Sequence, residues 1–195
     1  MAYARPENHR YSGDAREELP AGGYVVKIMD IQAAKWPSGD PCFDVSIDIA
    51  EGDHKDFYAN DYRAQSGDNK WWRGSFRLTP PDPNAPDWQN NRFWDFIYAV
   101  EDSNSGFHFS GEESDLSKAK FGKKIFGCLF RREETKPNAD GMTFWNTKPF
   151  RCLPAEKIRN GEFRIPKDKA TKEGGSTFTD LPAPAAEDEA DDLPF

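Results

Sequence analysis

The chain has 195 residues, 36% of them hydrophobic and 14% aromatic, and a formal net charge of −8; that is enough to bury the core of one ordinary domain with residues left for a tail. Nowhere do eighteen apolar residues run together, and Met1 to Asp14 is polar, so neither a membrane-spanning helix nor a secretory signal is expected and the protein reads as soluble and cytoplasmic. Cys42, Cys128 and Cys152 are widely spaced and form no CxxC pair, a pattern that predicts neither a disulfide framework nor a cysteine zinc site.

Residues 1–19 are polar, charged and without periodicity, an N-terminal extension. Leu19-Pro20-Ala21-Gly22-Gly23 has the breaker chemistry that precedes a first strand, which puts the start of the domain near Pro20. Tyr24 to Ile31 is rich in β-branched residues. Cys42 to Ile49 alternates, with Phe43, Val45, Ile47 and Ile49 on one face and Asp44, Ser46 and Asp48 on the other, so both segments read as half-buried strands. Trp36 to Pro41 is a turn-rich connection between them, and Glu51-Gly52-Asp53 closes the second strand. A third strand is expected within Lys55 to Leu78.

Thr79 to Pro86 holds four prolines in eight residues, which predicts an exposed loop. Phe93, Phe96, Ile97 and Val100 then fall at i, i+3, i+4 and i+7, one apolar helix stripe that should stop around Asn104 to Gly106. Strands resume at Lys123 to Arg132 and Met142 to Leu153. Pro137 to Gly141 is a turn signal that joins them into a long hairpin. Three strands, a helix and a hairpin predict a mainly β domain over residues 20–168, a five-stranded OB-type Greek-key barrel with one helix between strands 3 and 4. Barrels of that type bind single strands with a strand face and its loops. From Lys169 to Phe195 the composition turns to Ala, Pro, Gly, Ser, Thr and acid, which predicts a disordered acidic tail.

The negative charge is local. From Asp180 onward there are six acids and no base, leaving 26 bases against 28 acids over residues 1–179, a net −2. A near-neutral body can carry a basic face.

Two segments have the residue types for such a face. Lys70-Trp71-Trp72-Arg73-Gly74-Ser75-Phe76-Arg77 mixes three bases with three rings and has no acid. Flat rings stack on any base, at about 1–3 kcal/mol each, while cations follow the phosphates. Lys70, Trp71, Trp72, Arg73, Phe76 and Arg77 are therefore candidate nucleic-acid contacts. At least one ring must serve the core, and on a strand Trp71 and Trp72 point to opposite faces. Lys118 to Arg132 has six bases and no acid in fifteen residues, the bases flanking an apolar strand and collecting at its ends; Lys123, Lys124, Arg131 and Arg132 join the candidates. Across the hairpin, Phe144 to Lys148 supplies a further ring and base, with Trp145 taken as the outward ring and Lys148 as its cation.

Catalytic patterns are weak. His9, His54 and His108 lack metal-ligand spacing, and no Gly-rich phosphate loop, GxSxG or HExxH occurs. Asp44, Asp48, Glu51 and Asp53 could be imagined as a magnesium cluster of a nuclease, but alternation puts Asp44 and Asp48 on a solvated strand face. No catalytic residue, metal ligand or cofactor is expected.

The chain ends on Glu187-Asp188-Glu189 and Asp191-Asp192-Leu193-Pro194-Phe195. An apolar ring and a free carboxylate at the end of an acidic string suit a hydrophobic pocket ringed by Arg or Lys. In Asp191, Asp192, Leu193, Pro194 and Phe195 the sequence resembles the tail tip of bacterial and bacteriophage single-stranded-DNA-binding proteins, acids followed by a hydrophobic residue, Pro and Phe. The resemblance implies an OB-fold body that binds single-stranded DNA without sequence preference in DNA replication, recombination and repair. It also implies a tip that recruits helicases, nucleases, primase-related factors and recombination mediators, in a bacterial cell or encoded by a phage that infects one. It implies no enzymatic activity. Two other readings remain beside it: an interaction adaptor whose tip competes for host DNA-metabolism proteins, and a metal-dependent nuclease.

Overall fold

The computed structural model describes residues 17–65, 69–137 and 141–171. Its centre is β1 (Gly22–Lys35), which extends beyond its β-branched stretch at both ends. β1 pairs antiparallel with β2 (Pro41–Ile49) along most of its length and with β4 (Ile125–Glu134) along its first half, from Gly22↔Phe130 to Lys27↔Ile125. One extra residue, Met29, bulges out of the β1–β2 ladder, the usual way a long strand bends between two neighbours. β3 (Ser75–Leu78) flanks β2 and β5 (Trp145–Leu153) flanks β4. The result is one five-stranded antiparallel sheet in the order β3-β2-β1-β4-β5.

Alternation decides which side of this sheet is the core. Val26, Ile28, Val45, Ile47, Phe76, Phe126 and Phe130 all point to one face and are buried there. Helix α2 (Asp87–Ser103) follows β3 in the chain and buries Phe93, Phe96, Ile97 and Val100 in the same core. Phe96 stacks on Phe121 with ring centroids 5.9 Å apart and meets Phe126 edge-on at 5.4 Å; such ring pairs contribute about 0.5–1.5 kcal/mol each beyond their buried area. Asn104, just past α2, ends the helix and ties it to the sheet. Its amide donates to the Val100 and Ile125 carbonyls, both at 2.7 Å, and its oxygen accepts from the Ile125 N–H at 3.2 Å.

Several expectations are corrected. The sequence predicts one helix, whereas the described residues also contain α1 (Phe57–Ala64), α3 (Lys118–Phe121), α4 (Ala155–Arg159) and a 3-10 turn at Glu113–Asp115. These elements are short and carry little more than two turns at most, too few for a periodic stripe to show. α1 occupies the front of the span expected to hold the third strand, leaving β3 only four residues. It also reverses the expected environment of Asp48, which lies on the polar side of β2 yet is fully buried because α1 covers that side. There its Oδ1 accepts the backbone N–H groups of Ile49 and Tyr58, both at 2.9 Å. Burial pushes the Asp48 carboxyl up from its ordinary value, while those two donors and Lys27, 4.0 Å away, pull it back.

α4 packs on the outer side of β1 and β4 and explains a glycine. A Cβ on Gly127 would stand 2.7 Å from Ile158 Cγ1 and 2.8 Å from the Leu153 and Pro154 carbonyl oxygens, so only glycine lets the helix sit so close. Beyond α4 the chain returns to β4. Lys169 donates its N–H to the Arg132 carbonyl and accepts from the Glu134 N–H, both at 2.9 Å, forming a parallel bridge opposite Glu133. The expected start of the tail thus falls on a residue held by β4, and Leu19, just before the expected start of the domain, is buried in the core. No helix among the described residues is long and apolar enough to cross a membrane.

Candidate nucleic-acid interface

The first candidate segment is shaped by α1. Gln65, at the C-terminal end of that helix, accepts from the Trp71 N–H and donates to the Trp71 carbonyl, both at 3.0 Å. This clamp holds the backbone of Trp71 while its ring stays 60% exposed. The Arg73 guanidinium lies over that ring at 4.9 Å and is fixed by Asp61 at 3.0 Å. Lys70 is exposed, its ammonium 5.8 Å from the Tyr62 ring. Trp71 therefore presents a flat ring with cations on either side of it in sequence.

Trp72 and Phe76 are corrected. The Trp72 ring packs against the core, and its Nε1 donates to the Ile47 and Gly74 carbonyls at 3.1 and 3.0 Å. Gly74 permits this: a Cβ there would stand 2.5 Å from the Ile47 oxygen and the Tyr58 ring. Phe76 is buried on β3 against Phe96 and Phe126. Phe76 is thus withdrawn into the core, and Trp72 keeps only part of its ring exposed. Arg77, on the outer side of β3, faces Asp44 across the ladder and covers the Trp36 ring at 5.4 Å. Trp36, in the β1–β2 turn, is a ring the sequence marked only as part of a connection.

The second segment divides. Lys123 and Lys124 precede β4, whereas Arg131 and Arg132 lie towards its far end, so Lys124 and Arg131 are separated by about 23 Å of strand. Lys123 is exposed and adopts φ +68°, a left-handed conformation that glycine would occupy with less strain. Lys124 rests 5.2 Å from the Phe107 ring.

At the far end the β4–β5 hairpin gathers the remaining candidates. The β1–β4 ladder stops at Phe130, yet β4 continues to Glu134 with β5 as its partner, placing Arg131 opposite Lys148 and Arg132 opposite Thr147. The two arginines differ in what they can still contact. Arg131 is only 13% exposed, lies 4.1 Å over the Phe150 ring and pairs with Glu133 at 2.5 Å. Arg132 is 42% exposed and lies 5.2 Å from the Trp145 ring; Lys148, opposite Arg131, is exposed on the other face of the hairpin. The outward ring is also corrected. Phe144 is 53% exposed, whereas Trp145 is half-buried beneath Arg132.

Two features escaped the sequence. Trp94 and Tyr98 stack on the outer face of α2 with centroids 6.0 Å apart, visible as an i, i+4 ring pair but hidden beside the stronger apolar stripe. Lys167 and Lys169 are exposed next to the hairpin, at the point where composition suggested the tail begins. The nuclease cluster does not assemble: Asp48 is in the core, Glu51 is bonded to Arg159 at 2.7 Å, and Asp44 is four residues along β2 from Asp48. The tip, Asp191 to Phe195, lies outside the described residues. No family model matches the chain, and no curated protein matches it.

Proposed function

We propose that this protein binds single-stranded DNA without sequence preference and without enzymatic activity, in DNA replication, recombination and repair, and that its C-terminal tip recruits partner proteins of DNA metabolism. The observation that carries the reading is the far end of the β4–β5 hairpin, where both faces carry candidate contacts: Arg132 lies over Trp145 on one, Lys148 is exposed on the other, and Phe144 is exposed at the entry to β5. Exposed Trp71 with Lys70 and Arg73 repeats that combination next to β3. Ring faces accept any base and cations accept any phosphate, so an interface of this composition binds strands irrespective of sequence. A lysine at position 123 in a conformation better suited to glycine further supports a role for its side chain.

The proposed fold is a five-stranded OB-type Greek-key barrel. Supporting it are the order β3-β2-β1-β4-β5, the proximity of the edge strands β3 and β5, and the position of α2 between β3 and β4 in the chain. On such a barrel the β4–β5 hairpin and the segment leading into β3 border the ligand-binding face.

A gel-shift series with single-stranded DNA, duplex DNA and RNA tests the function. Single-stranded DNA should shift at the lowest protein concentration. Arg132→Ala/Lys148→Ala should weaken that binding, whereas deletion of Asp191 to Phe195 should leave it no weaker. Equal affinity for duplex and single strands, or loss of DNA binding on removing the tip, would contradict the reading.

A further inference from the structure

The stretch of β4 that β1 leaves uncovered is taken by residues 168–171. The far end of β4 thus has β5 on one side and the returning chain on the other, joined by one parallel bridge at Lys169. Residues opposite one another in a ladder share a face, and successive residues alternate. Lys169 thus lies on the face of Glu133, and hence of Arg131 and Lys148. Asp168 lies on the opposite face with Arg132, which it meets at 3.5 Å.

The bonds that hold this strap do not use its cationic side chains. They are the backbone N–H and carbonyl of Lys169, and the N–H and hydroxyl of Thr171, which donate to Glu134 Oε2 at 2.9 Å and to the Glu134 carbonyl at 3.0 Å. Lys167 and Lys169 remain exposed, Lys169 on the face of Lys148. A carboxylate on Arg132 is an anion on a cation that a nucleic-acid phosphate would otherwise take.

Resting on the function proposed above, we infer that the strap is part of a single-strand-binding arm that DNA contacts on both faces: Lys169, with Lys167 before it in the chain, contacts DNA phosphates on the side of Lys148, and on the other face Asp168 holds on Arg132 the place a phosphate takes on binding. The surface thereby gains two cations from the boundary where sequence composition turns to tail, and residues 167–169 become part of the site.

Salt titration of the full chain with an oligothymidylate tests this. Lys167→Ala/Lys169→Ala should reduce the slope of log K against log salt by about 1.4, two phosphates at about 0.7 each, which is roughly a 25-fold loss of affinity at 0.1 M salt. The backbone bridge survives this change, so folding is unaffected. Lys55→Ala/Lys157→Ala, which removes the same charge elsewhere, should leave the slope unchanged. Asp168→Asn should tighten binding at low salt. An unchanged slope in the strap variant, an equal fall in the control, or no tightening with Asp168→Asn overturns the inference while the wild type still binds. A wild type that binds no single-stranded DNA overturns the functional reading and the strap with it.

Discussion

Trp71 and Trp72 are adjacent in the chain, and only Trp71 exposes most of its ring. The Gln65 clamp fixes the Trp71 backbone and leaves its indole 60% exposed, whereas the Trp72 indole packs on the core with its N–H shared between two carbonyls. Substitution should separate these roles. Trp71→Ala removes a stacking face and should weaken single-stranded DNA binding about 5- to 150-fold, the equivalent of about 1–3 kcal/mol per stacked base, with no change in urea midpoint. Trp72→Ala should instead destabilise the fold by about 3 kcal/mol, since it leaves a cavity. Urea denaturation and fluorescence titration of both variants check this, and a Trp71→Ala protein that binds normally would exclude its ring from the interface. The sequence predicts that the two rings part by strand alternation; they do part, but in the loop before β3 rather than on a strand. It could not say which would be inside, because that depends on Gly74 allowing the Trp72 indole to reach the Ile47 carbonyl.

Among the elements, the returning strap is held in part by a titratable group. The Thr143 hydroxyl and the Thr171 N–H hold the Glu134 carboxyl below its ordinary value. A carboxylate with a lowered folded value contributes stability that is complete above the unfolded value and is lost as pH falls through the lower one. The Thr171 amide resonance should therefore titrate below the ordinary glutamate range as the strap end releases. A transition at or above that range would contradict the bond. The long elements were legible in sequence: Cys42–Ile49 alternates with period two, and Phe93, Phe96, Ile97 and Val100 repeat at helical spacing. α1 and the strap were not. α1 is an eight-residue helix whose single fully buried side chain is Tyr58, so it carries no periodic signal. Lys169 joins β4 through its backbone alone, which composition cannot register. For the same reason Asp48 looked solvated: its burial is imposed by α1, whose Tyr58 N–H reaches it from ten residues away and is invisible to the strand's own pattern.

At the scale of the molecule, charge is divided between a near-neutral body and an acidic end. Residues 1–179 carry a net −2 while the chain carries −8, and the exposed cations Lys70, Lys123, Arg132, Lys148, Lys167 and Lys169 are drawn from separate segments of that body. Sequence disclosed two of these groups as acid-free runs. The fold dissociates one run along β4 and joins its distal end to Lys148 on β5 and to the strap. Binding by such a surface is dominated by counterion release, so its salt dependence reports how many cations meet phosphates. The most direct measurement is tryptophan fluorescence of the full chain titrated with oligothymidylate over a series of salt concentrations. About six such contacts predict quenching and a slope of log K against log salt of about −4; no detectable affinity at low salt, or a slope near zero, would contradict single-strand binding by this protein.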